Sequence, residues 1–189
     1  MIRWGNMNSF LSREELEALS FNKVGKNVLI SKKASIYGAN NITIGDNVRI
    51  DDFCVLSGNI VIGNYVHIAA FAALFAGNEG IELKDFAGVS SRTTIYAISD
   101  DYSGLALTNP TVPDELRHVC GGKVIIERHA LIGASSLVLP NVIIKEGAAI
   151  GACSMVTKDC EEWTISVGVP AKKIKNRYKN ILELEKKIK

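Results

Sequence analysis

The sequence predicts an all-β chain: a parallel β-helix of hexapeptide repeats with a long excursion loop, a short helix before the coil and a helix after it. Three observations carry this. Reading every sixth residue from Ile126 gives Ile126, Ile132, Val138, Ile144, Ile150 and Val156, all aliphatic. Most of these anchors are followed four residues later by another small or aliphatic side chain (Ala130, Ser136, Val142, Ala148, Ser154), and Gly133 and Gly151 directly follow two of them. IGDNVRI and IGNYVHI recur 18 residues apart, so three hexapeptides close one turn of triangular section. A helix needs apolar positions three and four apart, and a lone amphipathic strand needs alternation. A period of six fits a chain that turns a corner after each short flat segment and sends one aliphatic side chain inward.

Composition agrees. The hydrophobic fraction of 47% supplies a core, and aromatics at only 7% leave Ile, Val, Leu and Ala to fill a narrow interior. A net charge of +2 over 189 residues implies no nucleic-acid partner. No run approaches the ~20 apolar residues of a membrane span, and MIRWGNMNSF lacks the form of a signal peptide. The expectation is a cytoplasmic protein. Of the four cysteines none forms a CxxC pair; Cys54 and Cys153 fall inside the repeat, where a small buried thiol is the ordinary reading.

In chain order, residues 1–22 form an N-terminal helical segment. Within it SREELEAL (12–19) has Ser12 as N-cap, Glu15 to close a capping box, and Leu16 and Leu19 on one face. Such a helix covers the open end of the coil. The β-helix occupies 23–168. Its anchors run Val24, Ile30, Ile36, then after two extra residues Ile44, Ile50, Leu56, Ile62, Ile68 and Leu74, and after three more Leu83, Val89 and Ile95. An excursion over about 96–123 interrupts it before Ile126 resumes in phase, and loops of that length inside a compact repeat are usually functional. Residues 169–189 are expected to form a C-terminal helix, with Pro170 in its first turn and Ile174, Tyr178, Ile181, Leu182 and Leu184 near helical spacing.

The hexapeptides, the single long loop, the ending IGACSMVTKD and the exit SVGVPAKKIK together resemble the left-handed β-helix acyltransferases. Within them the chain is most similar to the sugar acetyltransferase branch, which includes galactoside and maltose acetyltransferases and enzymes that modify O-antigen or capsule. The resemblance spans residues 24–178. It implies the left-handed coil, since spacing alone carries no handedness and parallel crossovers are ordinarily right-handed. It implies a homotrimer with active sites between subunits, acetyl-CoA as co-substrate in a groove between two coils, and a sugar or nucleotide-sugar acceptor in polysaccharide biosynthesis. Carried over by position, Ala134, Ala152, Thr157 and Lys158 fall along the pantetheine arm, and Lys172 and Lys175 near the nucleotide phosphates, where cations make charge-assisted contacts.

Acetyl transfer to a hydroxyl calls for a general base, ordinarily histidine, whose pKa lies near working pH. In the sugar O-acetyltransferases that histidine stands early in the excursion; here the place is taken by Asp100, in SDDYSG. Three accounts follow. Asp100 or Asp101 is itself the base, which needs a carboxyl raised above its ordinary ~3.9. Or His118, later in the loop, folds back or reaches a neighbouring subunit's site. Or the acceptor is an amine, which needs little help to expose its lone pair. Arg92, Tyr96, Asp101 and Tyr102 are candidate acceptor contacts. His67 and His129 read as surface or inter-subunit residues. No His/Cys/carboxylate cluster has metal-ligand spacing, so no metal is expected. A second reading from another class is a β-helix scaffold or binding subunit that has lost its catalytic base.

Overall fold

In the computed structural model, which describes residues 9–188, the hexapeptide anchors form three walls of one parallel coil. On the first face, Val24 pairs with Ile44, Ile44 with Ile62, Ile62 with Leu83, Leu83 with Ile126, and Ile126 with Ile144. On the second, Ile30, Ile50, Ile68, Val89, Ile132 and Ile150 stack in the same manner. On the third, Ile36, Leu56, Leu74, Ile95, Val138 and Val156 do so. Every pairing is parallel. Nearly all the anchors are fully buried, Val24 and Ile36 at the N-terminal end being partly covered. Each buried one contributes about 1.5–3 kcal/mol of transfer free energy.

The corners explain the glycines and asparagines of the repeat. Lys26 N–H donates to Asp46 Oδ1 at 2.7 Å, Asp46 N–H to Asn64 Oδ1 at 2.8 Å, and Asn64 N–H to Asp85 Oδ1 at 2.7 Å. These side chains satisfy corner amides that the strand ladders leave over. A Cβ on Gly45 would lie 2.7 Å from Asn64 Oδ1, and one on Gly63 2.5 Å from Asp85 Oδ1. Glycine is required there for close approach. At the next position the backbone is left-handed, and the residues that hold it form a column: Asn27, Asn47, Tyr65, Phe86, His129, Gly147 and Trp163. Asn27 Nδ2 donates to Asn47 Oδ1 at 3.0 Å. Above them Tyr65 stacks on Phe86 and Phe86 on His129, each at 4.9 Å, while Trp163 tilts over His129 at 6.4 Å. His129 is therefore a buried ladder member, 7% exposed, which sets aside the surface half of the surface-or-inter-subunit expectation.

The short helix α1 (Arg13–Ala18) has the expected capping box, with Ser12 Oγ accepting from Glu15 N–H and the Glu15 carboxylate from Ser12 N–H. Leu16 packs under the first coil. Residues 1–8 of the N-terminal segment lie outside the described residues.

The C-terminal end differs from expectation. Thr164–Val167 is still a rung of the second face, parallel to Ala149–Ile150. Residues 172–176 are not helical: Lys172–Asn176 runs antiparallel to Thr164–Val167. Pro170 lies in the turn between them, and the helix α2 is confined to Ile181–Glu185. The exposed edge of the last rung offers unpaired N–H and C=O groups, and pairing with them outweighs a weak helical periodicity. Arg177 then donates to His129 O and Gly147 O (2.9 and 3.0 Å). Glu185 reaches His129 Nε2 at 2.5 Å and also contacts Arg128. No described helix is long and apolar enough to cross a membrane.

Candidate active site

The third face and its two flanking corners collect most of the predicted site residues. Its outward positions Ala73, Thr94, Leu137 and Met155 lie in register and are half-buried, a largely apolar floor. Beside them Tyr96 stacks on Phe75 at 5.1 Å.

At the far edge of this face the chain leaves the coil, and the excursion begins as an antiparallel hairpin. Ile98–Asp100 pairs with Val119–Gly121, Asp100 standing opposite Val119. Asp101 N–H then bonds His118 O at 3.1 Å, and Gly122 N–H bonds Ala97 O at 2.9 Å where the chain returns. Within the chain His118 lies on the returning side of the hairpin, near the two aspartates. It meets only one of them. Adjacent residues of a strand point to opposite sides, and residues directly opposite in an antiparallel pair share a side. His118 Nδ1 accordingly lies 3.8 Å from Asp101 Oδ2, while Asp100 projects on the other side. The structure does not bring Asp100 and His118 together.

The two carboxylates also differ in their duties. Asp101 accepts from Ser103 N–H at 2.8 Å and Ser103 Oγ at 2.9 Å. The Ser103 backbone and hydroxyl, with His118 nearby, hold its carboxyl below the usual range. It is a turn-forming, ionised group with its oxygens occupied. Among the described residues the Asp100 carboxylate makes one long contact, accepting from Asn109 N–H at 3.4 Å, which leaves it the less occupied of the two. Tyr102 is 93% exposed.

The second corner carries Arg92, at φ +60°, its guanidinium 5.9 Å above the Phe71 ring. Further along the same corner stand Ala134 and Ala152 on successive coils, joined where Cys153 N–H donates to Ala134 O at 2.9 Å. Here a Cβ on Gly133 would come within 2.5 Å of Ala152 N, so the coils approach closely and side chains are small. Cys153 holds a left-handed corner position and is exposed, unlike the buried thiol its place in the repeat suggested. Thr157 and Lys158 are exposed after Val156, on the opposite side of the third face from Ala134 and Ala152. Within one chain these four thus flank the third face from its two sides.

The VGVPAK stretch is pinned to the third face: Met155 N–H bonds Gly168 O at 2.9 Å, and Ala171 N–H bonds Met155 O at 2.8 Å. This delivers Lys172 beside the second corner. Lys172 and Lys175 are exposed on the antiparallel edge strand, with no carboxylate in ion-pair contact among the described residues, whereas Lys173 pairs with Glu161 at 2.8 Å. Among the described residues no group of three or more His, Cys, Asp or Glu could hold a metal ion.

Residues 41–76 match the family model described as bacterial transferase hexapeptide (six repeats). A dTDP-4-amino-4,6-dideoxy-D-glucose acyltransferase of Escherichia coli is 49% identical over 94% of this chain and 93% of its own length. The chain is a hexapeptide-repeat acyltransferase. A solved serine-to-alanine variant of AntD, an N-acyltransferase from Bacillus cereus in complex with dTDP-4-amino-4,6-dideoxyglucose and coenzyme A, is 57% identical. It superposes with a TM-score of 0.92 over 94% of this chain and 96% of that one. The acyltransferase therefore has the left-handed β-helix of its family, and the scaffold alternative gives way to an enzyme. A chloramphenicol acetyltransferase of Klebsiella aerogenes is 34% identical over 67% of this chain and 58% of its own. Membership of the family thus leaves the acceptor to be argued from the site.

Proposed function

We propose that this acyltransferase moves a short acyl group from its coenzyme A thioester to the amino group of a nucleotide-linked amino sugar. The first acceptor to try is dTDP-4-amino-4,6-dideoxyglucose. The observation that carries the reading is a lightly bonded carboxylate, Asp100, at the start of the hairpin where hydroxyl-directed relatives of the fold place an imidazole. A sugar amine near neutral pH needs a group that orients its lone pair and receives a proton after attack, and a carboxylate suffices for that. The thioester carbonyl gains the C–N bond, the thiolate of coenzyme A leaves, and the amine proton passes to Asp100 or to the departing sulfur.

The relatives support this. Two proteins similar over nearly the whole chain are named for acyl transfer to, or complexed with, a dTDP-4-amino sugar. AntD has also been solved with 3-hydroxybutyryl-CoA, so donors longer than acetyl belong in the assay beside acetyl-CoA. Solved variants of AntD replace one serine and one aspartate. Their separation in that chain is the separation here of Ser90 from Asp100 and of Ser91 from Asp101. The serines were not singled out by their spacing, and Ser90, half-buried at the end of the second face, joins Asp100 as a candidate.

In this reading the small-residue stretch of the second corner, Ala134 and Ala152, receives the pantetheine arm, with Lys172 and Lys175 at its phosphate end. Thr157 and Lys158, across the third face, serve a neighbouring subunit's donor. The apolar third face is then covered by another copy in a homotrimer, and the enzyme works in the cytoplasm, where its nucleotide-linked substrates are made. The deciding experiment is mass-spectrometric detection of product from acetyl-CoA and 3-hydroxybutyryl-CoA with the dTDP-amino sugar and, in parallel, with a simple galactoside. Acylation of the amine is expected; transfer to galactoside hydroxyls alone would overturn the reading.

A further inference from the structure

The second corner changes character at Arg92. Toward the C-terminal end it is lined by small residues, Ala134, Ser135, Ala152 and Cys153. Toward the N-terminal end it is an exposed ladder: Phe53 stacks on Phe71 at 4.9 Å, with Lys33 5.4 Å from the Phe53 ring and Arg92 5.9 Å from the Phe71 ring. Phe53 and Phe71 are 48% and 51% exposed, large for aromatic side chains on a coil whose other corner ladder is better covered. Both hold left-handed backbone, φ +60° and +64°, which bulky residues rarely adopt. The left-handed corner is shared with Tyr65, Phe86 and Trp163 of the other ladder; what sets Phe53 and Phe71 apart is how far their edges stand in solvent.

The two cations of the ladder are not equivalent. Lys33 is paired with Asp52 at 3.0 Å. Arg92 has no carboxylate in contact among the described residues. Its guanidinium is oriented by the ring beneath it, which leaves the N–H fork open, the arrangement that suits a phosphate or diphosphate. The exposed edges of Phe53 and Phe71 carry the positive rim of the ring quadrupole and suit the π-face of a nucleobase in an edge-to-face contact.

We propose that Phe53, Phe71 and Arg92 form the subsite for the nucleoside diphosphate half of the acceptor, with Arg92 on the diphosphate and the ring edges against the base. This rests on the nucleotide-sugar reading above and adds a division of the corner: donor on the small-residue side of Arg92, acceptor nucleotide on the aromatic side. Coenzyme A also carries a diphosphate, so the test must separate the two sources.

Calorimetric titration of dTDP and of coenzyme A, each alone, into the full chain and into Arg92→Gln, Arg92→Lys and Phe71→Leu does so. Arg92→Gln is expected to weaken dTDP at least tenfold, Arg92→Lys less, and Phe71→Leu several-fold, with coenzyme A affinity within twofold throughout. That unchanged coenzyme A binding also reports that the variants are folded. In turnover the Arg92 variants should raise the KM for the nucleotide-sugar and leave that for acyl-CoA unchanged. Unaltered dTDP affinity in Arg92→Gln, or a loss of coenzyme A affinity instead, would overturn the subsite. Failure of the unsubstituted enzyme to bind dTDP, and UDP titrated in the same way, would overturn the nucleotide-sugar reading itself, and the subsite with it.

Discussion

Asp100 and Asp101 are neighbours of identical chemistry, and backbone direction alone separates their roles. Asp101 is spent on Ser103 and faces His118, while Asp100 keeps a nearly free carboxylate on the other side of the hairpin. Asp100→Asn should therefore lower kcat at least about tenfold with little change in either KM, whereas His118→Ala should cost less than about threefold; equal kinetics for Asp100→Asn and the unsubstituted enzyme would remove that carboxylate from the chemistry. The sequence showed a DD pair and a missing histidine but not which aspartate was available, because that depends on a turn closed by Ser103. The cysteines make a second residue-level case. Burial pushes the thiols of Cys54 and Cys160 up to about 11, while Cys120 and Cys153 are exposed. Reactivity follows the thiolate and access to it, so at pH 8 iodoacetamide should label Cys120 and Cys153 in the folded protein and reach Cys54 and Cys160 only after denaturation. Peptide mapping that finds Cys54 labelled as fast as Cys153 would contradict this.

Among the elements, the rungs were legible and the last strand was not. Six-residue spacing of branched aliphatics has one structural solution, and every anchor from Val24 to Val156 sits on the face its position in the count assigned. Lys172–Asn176 had no such signature, because its partner is the open edge of Thr164–Val167 and edge pairing leaves almost no mark on polar side chains. The ladder of Tyr65, Phe86, His129 and Trp163 was hidden for a different reason. Turns of unequal length put its members at unequal spacing, and they align only after the coil is closed. Gly147 is the gap in that column: its φ is +66°, and a Cβ would lie 2.4 Å from the Trp163 ring. Gly147→Ala should destabilise by about 2 kcal/mol or more, combining overpacking with left-handed strain. Denaturant unfolding checks it, and a loss no greater than that of an exposed control such as Ala152→Ser would show that Trp163 simply moves aside.

At the scale of the molecule, each coil is stabilised by itself and by the coils above and below, so stability is close to a sum of nearest-neighbour terms. Ile132 has neighbours on both sides, Val89 and Ile150, and its truncation to alanine should cost about 2–5 kcal/mol. Native-state hydrogen exchange should accordingly show strongest protection in the rungs from Ile62 to Ile144 and weaker protection in the Lys172–Asn176 strand; uniform protection throughout would argue for a single indivisible core. One further consequence lies in how the excursion is attached. It departs after Tyr96 and rejoins at Val124 with its two ends clasped by the Gly122–Ala97 bond, and the chain resumes in register with Ile81 and Leu83 as though nothing had intervened. An appendage mounted in that way can be lengthened, shortened or exchanged between homologues while the column beneath it keeps its alignment. The part of the acceptor that meets Asp100 can thus be altered through one contiguous stretch of sequence, while the nucleotide corner and the core stay as they are.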